Sequence, residues 1–179
     1  MVSKSKKSAE SLYWETWNSP FGAITVACSD KGLRQVELSR VIRRNKEGVK
    51  EPAAGWVRAG ASSHPAAKFA RQTIAELKDY AAGKLKRFTV PLDLQGTPFQ
   101  LKVWKALCSI PYGGTRSYKE IARQVGNPKA SRAVGMANHW NPVAIVVPCH
   151  RVVASDGSLG GYAGGLDLKA KILQMEAAG

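Results

Sequence analysis

The spacing of apolar residues changes character once in this chain of 179 residues, at the segment Gln-Gly-Thr-Pro at 95–98. Upstream, β-branched and aromatic residues alternate with polar ones in short runs typical of strands, around residues 13–17, 23–28 and 33–38. Downstream, apolar residues recur every three or four positions, as in helices. The sequence therefore predicts an α+β protein with two domains, residues 1–94 and 97–179.

The N-terminal domain is predicted to be a small antiparallel sheet with one helix. Turn signals separate the three strands, which indicates a meander. A helix is predicted from Pro65 to Gly83, and a further strand from Phe88 to Leu94. Residues 1–11 are predicted to be a frayed basic tail, and residues 41–64 a loop, because they lack a period and are rich in small and charged residues.

The C-terminal domain is predicted to be helical. Ser117 can cap a short helix, and a Gly-Asn-Pro-Lys turn separates that helix from another running from Lys129 to about Trp140. Two short helices across a tight turn are typical of a helix-turn-helix, although such hairpins are also common in proteins that do not bind DNA. Residues 144–147 are predicted to be a buried extended run, and residues 166–178 a final helix.

The charge of the chain favours a polyanionic partner. Lys and Arg number 27 against 13 Asp and Glu, a net charge of +14, and the excess is spread over both halves. A composition of 44% hydrophobic residues excludes disorder throughout. No apolar run approaches the roughly 20 residues of a membrane span, and no apolar segment follows the basic start as in a signal peptide, so we expect a cytoplasmic protein with no membrane partner.

The cysteines favour neither a disulfide framework nor a zinc site. Only Cys28, Cys108 and Cys149 occur, an odd number at wide spacing without a C-x-x-C pair.

Cys149 is the candidate nucleophile. It lies in a Pro-Cys-His-Arg segment between two runs of β-branched residues, which fix the backbone around the thiol. His150 and Arg151 beside it could stabilise a thiolate, the reactive form of cysteine. The alternative is that Cys149 is a small buried hydrophobe, as most cysteines are.

Glu176 strengthens the catalytic interpretation. Leu168, Ile172 and Glu176 follow each other at intervals of four in the final predicted helix, so the carboxylate shares the apolar face. A buried carboxylate needs a partner, and a carboxylate that orients a histidine beside a cysteine has the logic of a catalytic triad. Alternatively, Glu176 lies in water near a frayed end, or it pairs with Arg151 in a structural ion pair.

Two further features are weaker signals. Five glycines crowd the segment 157–165 around Tyr162, which can bring backbone groups close to a planar ligand or can simply form turns. Arg132 lies in the first turn of the predicted second helix of the helix-turn-helix, where most arginines contact only solvent or phosphate.

Taken together, these motifs resemble those of the O6-alkylguanine-DNA alkyltransferase family. The resemblance runs from Thr97 to Glu176 and is densest in Asn141-Pro142, in the Ile-Val-Val-Pro-Cys-His-Arg-Val-Val stretch at 145–153, and in the Gly-Gly-Tyr-Ala-Gly-Gly-Leu stretch at 160–166. Residues 1–96 resemble the variable N-terminal domain of the family only loosely. The resemblance implies a ribonuclease H-like N-terminal domain and a C-terminal domain with a helix-turn-helix and an active-site loop.

The resemblance also implies a reaction and its catalytic residues. Cys149 would accept the alkyl group of O6-alkylguanine once and irreversibly, with O4-alkylthymine as a second candidate substrate. His150 would deprotonate Cys149 through a water, and Glu176 would orient His150. Asn141 would brace the turn before the active site, and Tyr118 would donate toward the guanine ring.

The remaining implied roles concern DNA and the base. Arg132 would enter double-stranded DNA from the minor groove and fill the space of the extruded nucleotide, with Tyr118 and Gly135 also at the DNA. Val152, Tyr162 and Ala163 would line the guanine pocket. No cofactor is implied, because the damaged base is itself the alkyl donor, and we expect the protein to act as a monomer.

Three departures from the family pattern stand out. His139 and Trp140 replace small or basic residues before Asn141, and Ala163 stands where some members have serine. Some members bind zinc in the N-terminal domain, but only Cys28 and His64 are available here, so we predict no metal.

Three other functions compete with repair. They are a module that binds damage without reacting, a helix-turn-helix regulator with a structural cysteine, and a cysteine hydrolase. Cys149 disfavours the first, and the other two do not account for the whole set of motif residues.

Overall fold

The computed structural model describes residues 11–38 and 55–179. Residues 1–10 of the predicted basic tail lie outside these ranges. Residues 41–54 of the predicted loop lie outside them as well. The described chain forms an N-terminal half built on a sheet and a C-terminal half built mainly of helices. No helix in these ranges combines the length and apolar character needed to cross a bilayer.

The three predicted strands form an antiparallel meander, as expected. They are β1 (Tyr13–Ser19), β2 (Gly22–Ser29) and β3 (Gly32–Leu38), and a two-residue strand, β4 (Val57–Arg58), pairs with β1 in parallel. The sheet order is β3-β2-β1-β4. Helix α1 (Pro65–Ala81) covers one face of the sheet, as its apolar spacing predicted, and buries Ala70, Ile74, Leu77 and Tyr80.

The prediction of a strand at 88–94 is wrong. The segment makes an isolated bridge from Leu92 to Leu33, flanked by two hydrogen bonds with β3: the Leu33 N–H donates to the Pro91 carbonyl at 2.7 Å, and the Asp93 N–H donates to the Leu33 carbonyl at 2.9 Å. Pro91 has no N–H to donate, which limits the ladder. The segment is therefore an extended connection held against the edge of β3.

The C-terminal half begins with two capped helices. Helix α2 (Pro98–Leu107) starts with a capping box in which Thr97 and Gln100 satisfy each other's backbone N–H groups. After β5 (Arg116–Ser117), Ser117 and Glu120 form the same arrangement on α3 (Tyr118–Gln124), which confirms the predicted cap. Helix α4 (Ser131–His139) begins two residues later than predicted and packs against α2 and α3.

The chain after α4 differs from its prediction. Residues 144–147 are buried except for half-buried Ala144, but they form a turn rather than an extended run. The Val147 N–H donates to the Val143 carbonyl at 2.9 Å, and Ile145 has a φ of 75°. A 3₁₀ turn at Cys149–Arg151, the short strand β6 (Val152–Val153), and helix α5 (Leu166–Ala177) follow, and β6 pairs in parallel with β5.

The two halves share one hydrophobic core. The Val36 N–H in β3 donates to the Pro142 carbonyl at 2.8 Å, which places the sheet beside the turn before the 3₁₀ segment. Trp104 of α2 is 1% exposed, and its Nε1–H donates to the Ala137 carbonyl of α4 at 2.8 Å. The helix that carries Arg132 therefore has a fixed position relative to both halves.

We predict that Gly32→Ala lowers the free energy of unfolding by about 2–3 kcal/mol. Gly32 has a φ of 146°, and a Cβ there would lie 2.3 Å from the Pro91 carbonyl oxygen, which is backbone and cannot move freely. Urea denaturation provides the measurement. The control is Gly60→Ala, where φ is also positive but no atom lies within 4 Å, with an expected loss of about 1 kcal/mol. Equal losses would contradict the clash.

Candidate functional site

A cavity of about 700 Å³ collects most of the predicted site residues. Its lining includes Tyr118, Arg132, Gly135, Cys149, Tyr162 and Ala163. These residues come from α3, α4, the 3₁₀ turn and the glycine-rich loop, which the fold brings together although they span more than forty positions in sequence. The thiol thus shares one cavity with the helix-turn-helix.

Cys149 is 5% exposed and lies at the start of the 3₁₀ turn. Its Sγ accepts a hydrogen bond from Asn141 Nδ2 at 3.1 Å. Burial raises the pKa of the Cys149 thiol, and the Asn141 bond and the charge of Lys169 only partly oppose this. The thiol is therefore protonated at rest, and a base must remove its proton before it can attack.

Asn141 also braces the turn at 143–147. Its Nδ2 donates to the Val147 carbonyl at 2.8 Å, and its Oδ1 accepts from the Val143 N–H at 3.1 Å. One side chain therefore fixes both ends of the turn and contacts the sulfur.

Behind the thiol, Glu176 is the centre of a buried cluster of four side chains. Its carboxylate accepts from His150 Nε2 at 3.0 Å, from Arg151 Nε at 2.9 Å, and from the Tyr80 hydroxyl. The Gly113 N–H donates at 3.2 Å to Oε2, the oxygen that also accepts the Arg151 Nε bond, whereas His150 and Tyr80 donate to Oε1. Of the alternatives left open by the sequence, a position in water is wrong, and the histidine partner and the arginine partner are both present.

The cluster fixes the protonation states of Glu176 and His150. Burial alone would raise the pKa of Glu176, but hydrogen bonds from His150, Arg151 and Tyr80 outweigh it and bring the pKa to about 2. Burial lowers the pKa of His150, and the neighbouring charge of Arg151 adds to this, so the bond to Glu176 does not make the imidazole cationic at neutral pH.

The tautomer of His150 follows from this geometry. Nε2 faces the ionised carboxylate and therefore carries the proton. Nδ1 is then the basic nitrogen, and it is buried without a hydrogen-bond partner among the protein atoms described. A neutral imidazole with a free lone pair beside a protonated thiol has the properties of a general base.

Helix α4 forms the outer wall of the cavity. Arg132 lies exposed in its first turn. A Cβ at Gly135 would lie 3.8 Å from the Tyr118 ring, so α4 passes close over this ring. The Tyr118 hydroxyl donates to the Gly161 carbonyl at 3.4 Å, a long bond that leaves it available to a ligand.

Of the other two residues predicted to line the guanine pocket, Tyr162 reaches the cavity and Val152 does not. The Tyr162 hydroxyl is buried without a partner in the described structure and lines the cavity. Val152 is fully buried in β6 and is not part of the lining. Its carbonyl accepts a hydrogen bond from Lys169 Nζ at 2.6 Å.

Two residues of the site, Lys169 and Tyr80, were not predicted from the sequence. The Lys169 side chain is fully buried and its Nζ also donates to the Leu159 carbonyl, so it joins α5 to β6 and to the loop that follows β6. Burial lowers the pKa of Lys169 to about 8. Its position three residues before Ile172 and seven before Glu176 was a detectable signal, since all three share one helical face. Tyr80 lies 96 positions from Glu176, and no local pattern joins them.

The two residues considered for zinc have other contacts. Cys28 Sγ lies 4.0 Å from the Thr73 hydroxyl, and burial raises its pKa to about 12. The His64 ring stacks on Tyr13 with centroids 4.5 Å apart, and its Nδ1 accepts from the Ala66 N–H. In the ranges that the structure describes, no three His, Cys, Asp or Glu side chains are grouped as metal ligands.

Two family models match the chain. The model described as "6-O-methylguanine DNA methyltransferase, ribonuclease-like domain" matches residues 12–94, and the model described as "6-O-methylguanine DNA methyltransferase, DNA binding domain" matches residues 98–178.

Curated relatives and solved structures agree with these matches. A methylated-DNA--protein-cysteine methyltransferase of Methanosarcina barkeri is 46% identical over 92% of this chain and 97% of its own length. One from Mycolicibacterium paratuberculosis is 47% identical over 92% of each chain. The crystal structure of Mycobacterium tuberculosis OGT in complex with DNA superposes with a TM-score of 0.79, at 40% identity and 93% coverage of both chains. This similarity supports the two-domain α+β architecture.

We predict that the stabilising effect of Glu176 disappears in acid. A carboxylate whose folded pKa is about 2, below its ordinary value of 4.5, stabilises the fold above pH 4.5 and loses this effect as the pH falls toward 2. The difference in free energy of unfolding between the wild type and Glu176→Gln should therefore shrink by about 3 kcal/mol between pH 5 and pH 2. Urea denaturation across this range is the measurement. A difference that does not change with pH would contradict the assignment.

Proposed function

The chain belongs to the 6-O-methylguanine DNA methyltransferase family, and from this premise we propose that Cys149 is the residue that receives the alkyl group. The protein repairs DNA by transferring an alkyl group from damaged guanine to one of its own cysteines. The observation that carries the assignment to Cys149 is its position: a buried thiol in the cavity beside α4, bonded to Asn141 and adjacent to the His150–Glu176 pair.

The reaction begins with proton transfer. The neutral His150 accepts the proton of the Cys149 thiol through a water, using the unpaired Nδ1. The ionised Glu176 holds Nε2 and stabilises the imidazolium that forms. The Arg151 bond keeps Glu176 ionised, so that its negative charge is present when the imidazolium forms.

Alkyl transfer follows by in-line displacement. The thiolate attacks the alkyl carbon attached to guanine O6, so that an S–C bond forms as the O–C bond breaks. As the O–C bond breaks, its electron pair goes to guanine, and the Tyr118 hydroxyl donates toward the ring so that guanine takes up a proton and leaves as a neutral base. The proton that His150 took from the thiol replaces this one, so no net charge is left on the protein. The product is a thioether, which has no carbonyl for water to attack, so each molecule reacts once.

Access to the base requires nucleotide flipping, since guanine O6 lies within the stack of the duplex. We assign this step to Arg132, which is exposed in the first turn of α4: it enters the minor groove and fills the vacated space, which offsets part of an unstacking cost of a few kcal/mol. Gly135 allows α4 to lie close over Tyr118 at the entrance. The net charge of +14 supports binding to the phosphate backbone independently of sequence.

The wider context is also part of the proposal. We assign DNA binding and alkyl transfer to residues 97–179, and support of the active-site turn to residues 1–94. The reaction uses no cofactor, because the alkyl donor is the substrate itself, and it takes place in the cytoplasm. The three free thiols among the described residues suit a reducing compartment.

We predict that incubation with a duplex containing O6-methylguanine adds one methyl group to Cys149 stoichiometrically. Peptide mass spectrometry measures both the mass gain and its position. Cys149→Ser should gain nothing and still bind DNA, whereas Cys108→Ser, which removes an exposed thiol, should react as the wild type does. Methylation at another residue would refute the assignment.

We predict that Arg132→Ala slows repair of the lesion in duplex DNA at least tenfold more than it slows reaction with free O6-benzylguanine. The free base needs no flipping, so only the duplex reaction depends on the inserted side chain. Single-turnover rates on both substrates provide the test. Arg87→Ala removes the same charge from an exposed site in the N-terminal half and is the matched control. Equal loss on both substrates would exclude the flipping role.

A further inference from the structure

Two cavities meet at the thiol. The second, of about 640 Å³, lies between β3 and the end of α4. Both cavities are lined by Asn138, His139, Cys149, Tyr162 and Ala163. These shared residues form the part of the wall that lies nearest to both cavities.

Asn138 is the unexplained residue in this wall. It is 8% exposed, and both its Nδ2 and its Oδ1 are buried without a hydrogen-bond partner in the described structure. A buried amide left without partners costs about 1–3 kcal/mol, so such groups are rare in folded proteins unless a water or a ligand completes them.

The fold gives this amide no structural role. Asn138 lies in the last turn of α4, where an amide could cap the helix, but the turn is closed by backbone groups: the Asn141 N–H donates to the Asn138 carbonyl at 3.2 Å. Val134 and Ala137 pack into the core, and the Trp104 indole holds the Ala137 carbonyl. The Asn138 amide therefore has a fixed position on α4, and both of its polar atoms are available to a ligand that enters the cavity.

We propose that Asn138 is a specificity-determining residue that hydrogen-bonds the extruded base and favours O6-alkylguanine over O4-alkylthymine. This inference rests on the proposed function. A primary amide offers an acceptor and a donor side by side. O6-alkylguanine presents a complementary pair on its Watson–Crick edge, the ring nitrogen N1 as acceptor and the exocyclic amino group as donor.

O4-alkylthymine lacks this complementarity. Its corresponding edge presents two acceptors, the ring nitrogen N3 and the carbonyl oxygen O2. Against this edge the Asn138 Nδ2 can donate, but its Oδ1 faces a second acceptor and stays unpaired. A site that leaves a buried polar group unpaired discriminates strongly against the ligand responsible. The Tyr162 hydroxyl, also buried without a partner and lining both cavities, is available to the same base.

The test compares methyl transfer from two matched duplexes, one with O6-methylguanine and one with O4-methylthymine. Single-turnover rates are measured from the mass gain on Cys149 for the wild type, Asn138→Leu and Asn138→Ala. The leucine variant removes the amide at nearly constant volume. The alanine variant avoids inserting bulk, so one of the two remains informative if the other fails to fold. Asn18→Leu, on the exposed face of β1, is the matched control.

We expect the wild type to prefer O6-methylguanine, and the ratio of the two rates to fall about tenfold in both Asn138 variants, as the loss of a hydrogen bond of about 1.4 kcal/mol requires. The Asn18→Leu ratio should equal that of the wild type. An unchanged ratio in the Asn138 variants, whether the two rates fall together or stay the same, would overturn the inference while leaving the proposed function intact. Absence of methyl transfer in the wild type would overturn the proposed function itself.

Discussion

The buried carboxylate of Glu176 is the interaction on which the rest of the active site depends. It receives hydrogen bonds from α1 through Tyr80, from the segment after α2 through the Gly113 N–H, and from the 3₁₀ turn through His150 and Arg151. Burying an ion pair is costly unless every lone pair is used, and here the donors come from three separate parts of the chain. The carboxylate therefore joins helix α1 of the N-terminal half to the 3₁₀ turn that carries His150.

On the other side of the thiol, the uncharged side chain of Asn141 has a similar role to the charged Glu176 cluster. Asn141 fixes the turn that leads into Cys149, and the Val36 backbone in β3 donates to Pro142 beside it. The sulfur thus lies between an amide that belongs to the turn and an imidazole that belongs to the carboxylate cluster. Neither group is an exposed side chain, so the position of the sulfur is defined before a substrate enters.

Local patterns in the sequence predicted the parts of the fold that depend on local physics. The alternation in β1 to β3, the Ser117 cap and the interval of four that places Glu176 on a buried face each involve neighbours in sequence or on one helix. The errors involve long-range contacts. The segment at 88–94 is held by bonds to β3 rather than by its own ladder, and the turn at 143–147 depends on Asn141 and on a positive φ at Ile145, which β-branched residues rarely adopt. In the site, the sequence motif indicated the residues proposed as acceptor, base and orienting carboxylate, whereas Tyr80 and the unpaired amide of Asn138 are visible only in three dimensions.

A protein that is consumed by one reaction must protect its nucleophile until the substrate arrives, and the electrostatics of this site meet that requirement. Thiolates are the species that oxidants and adventitious electrophiles attack. Burial raises the pKa of Cys149, so the resting sulfur is a neutral thiol. The same burial keeps His150 neutral, so the base retains its lone pair without drawing the proton away beforehand. In the proposed reaction, proton transfer becomes favourable once an alkylated base fills the cavity, because the sulfur then bonds to the alkyl carbon and its negative charge passes to the departing guanine. The desolvation that makes the thiol unreactive toward solvent therefore also restricts its reactivity to a ligand that fits beside it.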